Sequence, residues 1–487
     1  MTTQQSLWPL TSVERSIRTE YASSSGVDMN VNTNIGTGSM PTRHSRVAIT
    51  SYTIKKATFV RGLLSSIFYL SLWRTTGMFY GYPGTFDEDV SVDPLPMKLI
   101  LYSLIPLIGI YIALEPNRVL SYFKSVPKLI WLILFATIAS LPYSIDFGAS
   151  IRGLAAVILL MCSPLLYRLR YGSVDTFRIL ANFAIVSAFL NIVYTVVFPQ
   201  FAVMGGSYAG MVKGLFYHKN GMGQFCAVAF LFLVSVRSPK ARLTYSQVIR
   251  WTAVILTLAL VVLAQSSTAV VMVCVGLSTM IGLKLMQGVP NSAVRGGILF
   301  ALSLLGGIVV SSIYLGVAES IAEAFGKDLT FSGRTDIWDQ VIPLIFQRPW
   351  LGYGYATFRQ SWVVEQYVIL NHTVHSLHNT YLEMTLNIGI IGSIAWIAFC
   401  VQRLMAKIAI YHASPVLNEV QAKEVAIMVL VMIGGMTEAG MMWAPSVLWP
   451  IMAVALPLYP LALPFPARRR TWSQDASSTR TKRGYRT

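Results

Sequence analysis

The chain has 487 residues, 54% of them hydrophobic and only 12% charged, with a mean hydropathy of +0.57. A soluble protein carries about 25% charged residues, so an assembly of ordinary soluble domains is excluded. Apolar runs of about 20 residues, the length that crosses a bilayer, recur along most of the chain. Membrane-spanning β-strands would instead alternate apolar and polar residues in segments of about ten. The net charge of +17 does not point to nucleic acid, because the basic residues fall in short clusters between apolar runs, where membrane topology puts them.

In chain order, residues 1–55 are rich in Ser, Thr, Asn and Gly without apolar periodicity, which predicts a disordered tail. The stretch around Trp8–Leu10 is no signal-peptide core, so no cleavable leader is expected. Hydropathy then predicts about twelve spans, at 59–80, 97–115, 127–145, 150–167, 177–198, 221–236, 251–265, 268–286, 294–317, 384–402, 424–442 and 446–465. The first of them contains Arg61 and Arg74. The expected organisation is a cytoplasmic tail at 1–55, nine spans within 56–317, a periplasmic loop at 318–383, three spans within 384–465 and a basic tail at 466–487. Cys162, Cys226, Cys274 and Cys400 all fall in predicted spans without metal-ligand spacing and read as small packing residues.

An even number of spans puts both termini on one side. That side collects Arg43, Arg46, Lys55, Lys56, Arg118, Lys124, Arg168, Arg170, Arg237, Lys240, Arg242, Arg403, Lys407 and the cluster Arg468–Arg470. The positive-inside rule makes it cytoplasmic. The few cations on the other side concentrate in two loops. One, at 199–220, holds Lys213 and Lys219; the long one holds Lys327, Arg334, Arg348, Arg359 and His372, His375 and His378. A loop of that length among short connections is expected to carry function.

Within it, Ser332-Gly333-Arg334-Thr335-Asp336 reads as a helix start, with Ile337, Val341, Leu344 and Ile345 on one face. The helix ends near Arg348-Pro349. It is too short to cross a bilayer and is expected to lie along the surface or roof a cavity. A turn at Gly352-Tyr353-Gly354-Tyr355 and a second short amphipathic stretch follow. The loop then closes through His375-Ser376-Leu377-His378-Asn379-Thr380 into the tenth span. Asn379 or Thr380 can cap that helix, which leaves His378 at its mouth. A neutral histidine there can take a proton from a hydroxyl. The same residue also reads as a helix-cap side chain at the membrane interface. The His372-x-x-His375-x-x-His378 run has zinc-like spacing, but no cysteine lies near it to complete a site.

These elements resemble the bacterial O-antigen ligase and Wzy-type polysaccharide polymerase superfamily, in particular its ExoQ-like exopolysaccharide polymerases. The resemblance rests on Gly333–Trp338, Arg348–Gly354, His375–Glu383, Gly389-Ile390-Ile391-Gly392 and Phe216–Gly221, in that family's arrangement of a long outer loop late among about a dozen spans. It implies an all-α polytopic, GT-C-like membrane glycosyltransferase. Such an enzyme polymerises undecaprenyl-diphosphate-linked oligosaccharide repeat units on the outer face of the inner membrane, without metal or other cofactor. Its implied partners are that donor, the growing polysaccharide acceptor, membrane lipids, a chain-length regulator and export machinery.

Carried over by position, the resemblance puts Arg334 and Lys219 on the diphosphate and His378 at the essential loop histidine, with Asn379 beside it. From the residues themselves, His375 either shares a role with His378 or orients it, and Arg152 can face the same cavity from the start of the fourth span. Glu438 is either functional or a structural partner to a cation, and Lys219 can alternatively snorkel to headgroups. One departure stands at Gln265-Ser266-Ser267-Thr268, where many ligases carry Ser-Arg-Thr. The missing arginine tilts the expectation from ligase to polymerase. A ligase acting on lipid A core is the alternative enzyme, and a multi-span transporter or lipid flippase the alternative outside enzymes. A transporter should show internal repeats and ionisable residues near mid-membrane, whereas the polar residues here gather at one surface.

Overall fold

The computed structural model describes residues 43–79, 95–124, 126–234, 245–287, 332–369, 376–413 and 418–436. Numbering helices among these residues, α1 spans Arg43–Thr76, α2 Leu95–Leu114, α3 Pro116–Lys124, α4 Lys128–Ser140 and α5 Phe147–Val197. They are followed by α6 Lys219–Leu233, α7 Tyr245–Ala264, α8 Ser267–Gln287, α9 Ser332–Gln347, α10 Ser361–Tyr367, α11 Thr380–Ala413 and α12 Asn418–Gly434. Among the described residues the only strand-like pairing is one bridge, Val203 with Val212. The fold is that of an all-α membrane protein. Five of these helices are long and apolar enough to cross a bilayer, or six when α3 and α4, bent by 91°, are taken as one span. The predicted spans at 294–317 and 446–465 lie outside the described residues. Helix α1 begins at Arg43, within the stretch expected as a tail. It is not among the five, since Arg61, Arg74 and several hydroxyl residues lower its hydropathy.

Two long helices are broken by glycine. In α5 the break is Gly172, at φ 77° and ψ −177°, a conformation open to a residue without Cβ. Helix α1 shows how the two arms lie. Ser71 donates to the Leu160 carbonyl in the first arm, while Trp73 packs on Phe183 and Asn191 reaches Met78 from the second. Arg61 pairs with Asp175 just past the break. Contacts therefore advance along the second arm and retreat along the first, so α5 is two antiparallel helices folded at Gly172. They coincide with the fourth and fifth predicted spans.

Helix α6 is the centre of the bundle. It packs against α5, α7, α8 and α12 and is buried along nearly its whole length. Its 15 residues reach only about 22 Å at 1.5 Å per residue, less than the ~30 Å of a hydrocarbon layer. It is therefore too short to reach from one surface to the other. Helix α8 runs parallel to it, since Gly223 faces Ser266 and Ala269 and Leu231 faces Gly276. Helix α12 runs antiparallel, from Lys423 against Phe232 to Gly434 against Met272 of α8. The start of α6, the start of α8 and the end of α12 thus lie at one end of the bundle, called here the loop end.

The opposite end is charged. Arg168 of α5 and Lys407 of α11 both meet Glu424 of α12, at 2.5 and 2.7 Å, and all three side chains are buried. Lys423, paired with Glu419, donates to the Phe232 carbonyl, and Arg250 of α7 donates to the Leu233 carbonyl. Two cations thereby satisfy the final carbonyls of α6, at the negative end of its dipole.

Candidate functional site

The long-loop segment is a small domain with its own core of Ile337, Trp338, Val341, Leu344, Tyr353, Phe358, Val363, Val364, Val368, Leu377 and Leu386. It is held to the bundle through a second glycine break. Helix α11 is interrupted at Gly389, at φ 73° and ψ 177°. Its short first arm folds back so far that Thr385 hydrogen-bonds Ser393. The expectation that the loop runs straight into the tenth span is corrected here: a backbone break separates His378 from the span itself.

A break frees carbonyls and amides that must find partners, and the loop supplies them. Tyr353 N–H donates to the Leu386 carbonyl, Gly354 N–H to that of Asn387, and Ile390 N–H to that of Pro349. The two backbones touch. A Cβ on Gly389 would lie 2.0 Å from the Trp350 carbonyl oxygen, and one on Gly352 would lie 2.3 Å from that of Leu386. The two glycine motifs quoted above are thus the two sides of one joint. On the other flank, Ser140, Ser144 and Ser150 bind Tyr355 and Thr357, and Arg348 donates to the Tyr143 carbonyl while lying 4.6 Å over the Tyr353 ring. Arg348 therefore serves as a clamp for the loop.

His378 stands at the head of the folded-back arm. Its φ of 49° is left-handed, uncommon for a residue with Cβ, and its N–H donates to Ser376 Oγ. Asn379 is buried and caps α11: its Oδ1 accepts from Tyr381 and Leu382 N–H. Of the two capping alternatives, Asn379 is realised, and its carbonyl oxygen is committed to the helix. Trp338 Nε1 donates to the Leu377 carbonyl at 2.9 Å, tying α9 to the residue before His378. Arg334 lies one turn before Trp338 on that face, half-buried. Arg334 and His378, 44 positions apart in the chain, thus each adjoin a residue of this contact, one turn before Trp338 and next to Leu377.

The start of the arm is anchored on α12. Thr380 N–H donates to the Gly435 carbonyl, and Tyr381 Oη to that of Met432. That end of α12 is also the end near which α6 begins, so Lys219 belongs to the same region. Lys219 is buried; its Nζ lies 3.4 Å from the Gln265 carbonyl and 5.1 Å from the Tyr208 ring centroid. The turn at Gln265 is the one where the sequence departs from Ser-Arg-Thr. Gln265 adopts φ 47°, and the buried Ser266 Oγ beside it has no hydrogen-bond partner among the described residues.

Arg152 is exposed on the second turn of α5's first arm, against Gly148. Its neighbour Gly153 packs on Ala356 and Tyr355, so Arg152 borders the loop domain. His375 and Glu438 lie outside the described residues.

Reading the sequence did not single out Tyr208, His218 or Ser266. His218 caps α6 by accepting from Asn220 N–H on Nδ1, and its ring meets Tyr208 edge-on at 5.2 Å. Its position directly before Lys219 was a usable cap signal, and Ser266 lies in the Gln265–Thr268 turn already noted; Tyr208 comes from a separate loop and left none. Buried Lys213, in the same loop as Tyr208, has its ammonium pKa drawn below the ordinary lysine value by loss of water.

The fold and site define an all-α membrane protein with a loop domain jointed onto a cation-bearing end of its helix bundle. Residues 252–397 match the family model described as O-antigen ligase, a stretch that holds the Gln265 turn, Arg334 and His378. The chain is also similar to "Exopolysaccharide production protein ExoQ" of Rhizobium meliloti (strain 1021), with 31% identity over 140 residues, 27% of this chain and 32% of that protein. The match thus spans about a third of that relative's length. Both similarities support the resemblance to O-antigen ligases and Wzy-type, ExoQ-like proteins drawn from the sequence.

Proposed function

We propose that the protein is a membrane glycosyltransferase that joins polyprenyl-diphosphate-linked oligosaccharide repeat units into exopolysaccharide or O-antigen, on the outer face of the cytoplasmic membrane. The observation that supports this reading is the Trp338–Leu377 hydrogen bond, which ties the helix that carries Arg334 to the residue before His378. The diphosphate is already an activated leaving group, so two tasks remain for the protein. His378 accepts the proton of the acceptor hydroxyl as its oxygen attacks the anomeric carbon of the lipid-linked sugar. The bond from that carbon to the diphosphate oxygen breaks, the oxygen keeps the electron pair, and Arg334 and Lys219 hold the charge that develops.

Protein cations perform the neutralisation here, and no metal is invoked in either task. Termini on the cytoplasmic side and a periplasmic loop belong to the same reading. Among the remaining candidates, Arg152 borders the loop and is assigned to the sugar chain near it, while Asn379 fixes the backbone from which His378 projects. His375 and Glu438 stay as sequence-based candidates for the same cavity. The implied partners are the lipid-linked donor, the growing acceptor chain, a chain-length regulator and export machinery.

A ligase that moves finished glycan to lipid A core is the second reading, favoured by the family description over 252–397. The absence of arginine from Gln265–Thr268 and the similarity to an exopolysaccharide production protein favour polymerase. The test is turnover of lipid-linked repeat units by purified protein, with and without EDTA. His378→Ala is expected to lower turnover by about 10²- to 10⁴-fold at normal membrane levels, and chelator to leave the wild type unchanged. Wild-type turnover by His378→Ala overturns the mechanism. Glycan analysis of a strain lacking the protein separates polymerase, which leaves single repeat units on the carrier, from ligase, which leaves intact polymer there.

A further inference from the structure

Lysine is a poor positional element: a compact charge on a flexible four-carbon stem, with its ammonium free to rotate. Burial alone does not aim it. What surrounds Lys219 does, and among the described residues the contacts of its ammonium are with neutral groups. Its Nζ approaches the Gln265 carbonyl at 3.4 Å and lies 5.1 Å from the Tyr208 ring centroid. No carboxylate is within ion-pair distance of it among the described residues.

Tyr208 is itself held. It sits at the tip of a short hairpin between α5 and α6, closed by the Val203–Val212 bridge and by Met204 N–H donating to the Met211 carbonyl. Left-handed Gly206 and Gly210 turn the chain on either side of it. The hairpin is pinned to the end of α7 by Val212 N–H on the Leu263 carbonyl, two residues before Gln265. The His218 ring, fixed as the α6 cap, meets the Tyr208 ring edge-on at 88°. The aromatic plane and the Gln265 carbonyl are thus two walls of one rigid assembly around the Lys219 ammonium.

We propose that Tyr208 is a positioning residue for the lipid-linked donor, acting through Lys219: its ring localises the ammonium without neutralising it. A carboxylate in that place would localise the lysine equally well, but would cancel the charge that a diphosphate needs. A π-face attracts the cation through its quadrupole and leaves the full charge available to an anion. The inference rests on the assignment of Lys219 to the diphosphate.

The test is binding of undecaprenyl diphosphate to the purified full-length protein in nanodiscs, with the melting temperature of each variant recorded. Lys219→Met is expected to weaken binding. Tyr208→Phe keeps the π-face and is expected to bind as the wild type does. Tyr208→Leu is expected to weaken binding about two- to fivefold, the scale of a cation–π contact on a tyrosine that is 43% exposed. In a Lys219→Met background, Tyr208→Leu is expected to have no further effect. If Lys219→Met is weakened while Tyr208→Leu binds normally, or if Tyr208→Leu costs the same in both backgrounds, the positioning role is overturned and the donor site stands. If Lys219→Met binds normally, the assignment of Lys219 to the donor falls, and the positioning role with it.

Discussion

Buried cations occur at both ends of the helix bundle, in different company. At the charged end Arg168 and Lys407 share Glu424, and Lys423 divides its protons between Glu419 and the last turn of α6. At the loop end Lys219 meets a backbone carbonyl and an aromatic ring. Desolvating a charge is expensive unless a partner compensates. The first arrangement compensates it within the protein and therefore holds α5, α11 and α12 together. The second shows no carboxylate among the described residues, which accords with the proposal that an outside anion supplies the compensation. A cation's burial says little about its role; the charge of its neighbours distinguishes the paired Arg168 from Lys219, the proposed binding lysine.

The contrast breaks most sharply at Glu424. Glu424→Ala leaves two buried cations without their shared carboxylate, and removal of one member of a buried pair costs about 3–5 kcal/mol. The expected result is a large fall in melting temperature in detergent, with much reduced membrane levels. A variant as stable as the wild type would show that the charged end is solvated and would remove the contrast.

Gly389→Ala probes the joint that carries the loop end. Its Cβ would sit 2.0 Å from the Trp350 carbonyl oxygen at a φ of 73°. Left-handed strain alone costs about 1–3 kcal/mol, and the overlap adds to it. The loop is expected to lift from α11, so that limited proteolysis within 349–360 accelerates and turnover falls while the charged end stays intact.

Lys219→Met sharpens the comparison from the other side. Its partners among the described residues are neutral, so stability is expected to change by only about 1 kcal/mol, the scale of one hydrogen bond. Donor binding nevertheless falls. A loss of stability as large as that of Glu424→Ala would make Lys219 structural, like Arg168.

The smallest expected effect is that of Trp338→Phe, which deletes the N–H donated to the Leu377 carbonyl while keeping most of the ring packing. A cost of about 1 kcal/mol is expected, with turnover falling more than stability, because the backbone before His378 loses its tie to α9. Equal, small losses in both would mean that the contact does not position the histidine.

Much of this was legible in the sequence because hydropathy and caps are local. Predicted spans at 97–115, 251–265 and 268–286 fall on helices α2, α7 and α8, since continuous apolar runs of that length have few alternatives. Helix α9 starts at Ser332, where the expected helix start lies, and the cap at Asn379 follows from a side chain that satisfies the first free N–H groups of its helix. The glycine breaks were less legible. Gly172 falls between two predicted spans, while Gly389 falls inside one, and a lone glycine in an apolar run does not announce a left-handed φ.

The sequence by itself determined the class of protein, the run of apolar helices, the long polar loop and the residues fit for charge neutralisation and proton transfer. Each is a property of composition or short-range spacing. It read Arg168, Arg403 and Lys407 as topology charges, because their sign and position follow the positive-inside rule. Only the tertiary structure decided that Arg168 and Lys407 are buried on Glu424 and that Arg348 clamps the loop. Only there does Lys219 meet the Gln265 turn, and only there does Arg334 reach the neighbourhood of His378. The physical reason is that charge and hydropathy act through the solvent, which every residue meets. Pairing acts over about 4 Å between residues that the chain order leaves far apart.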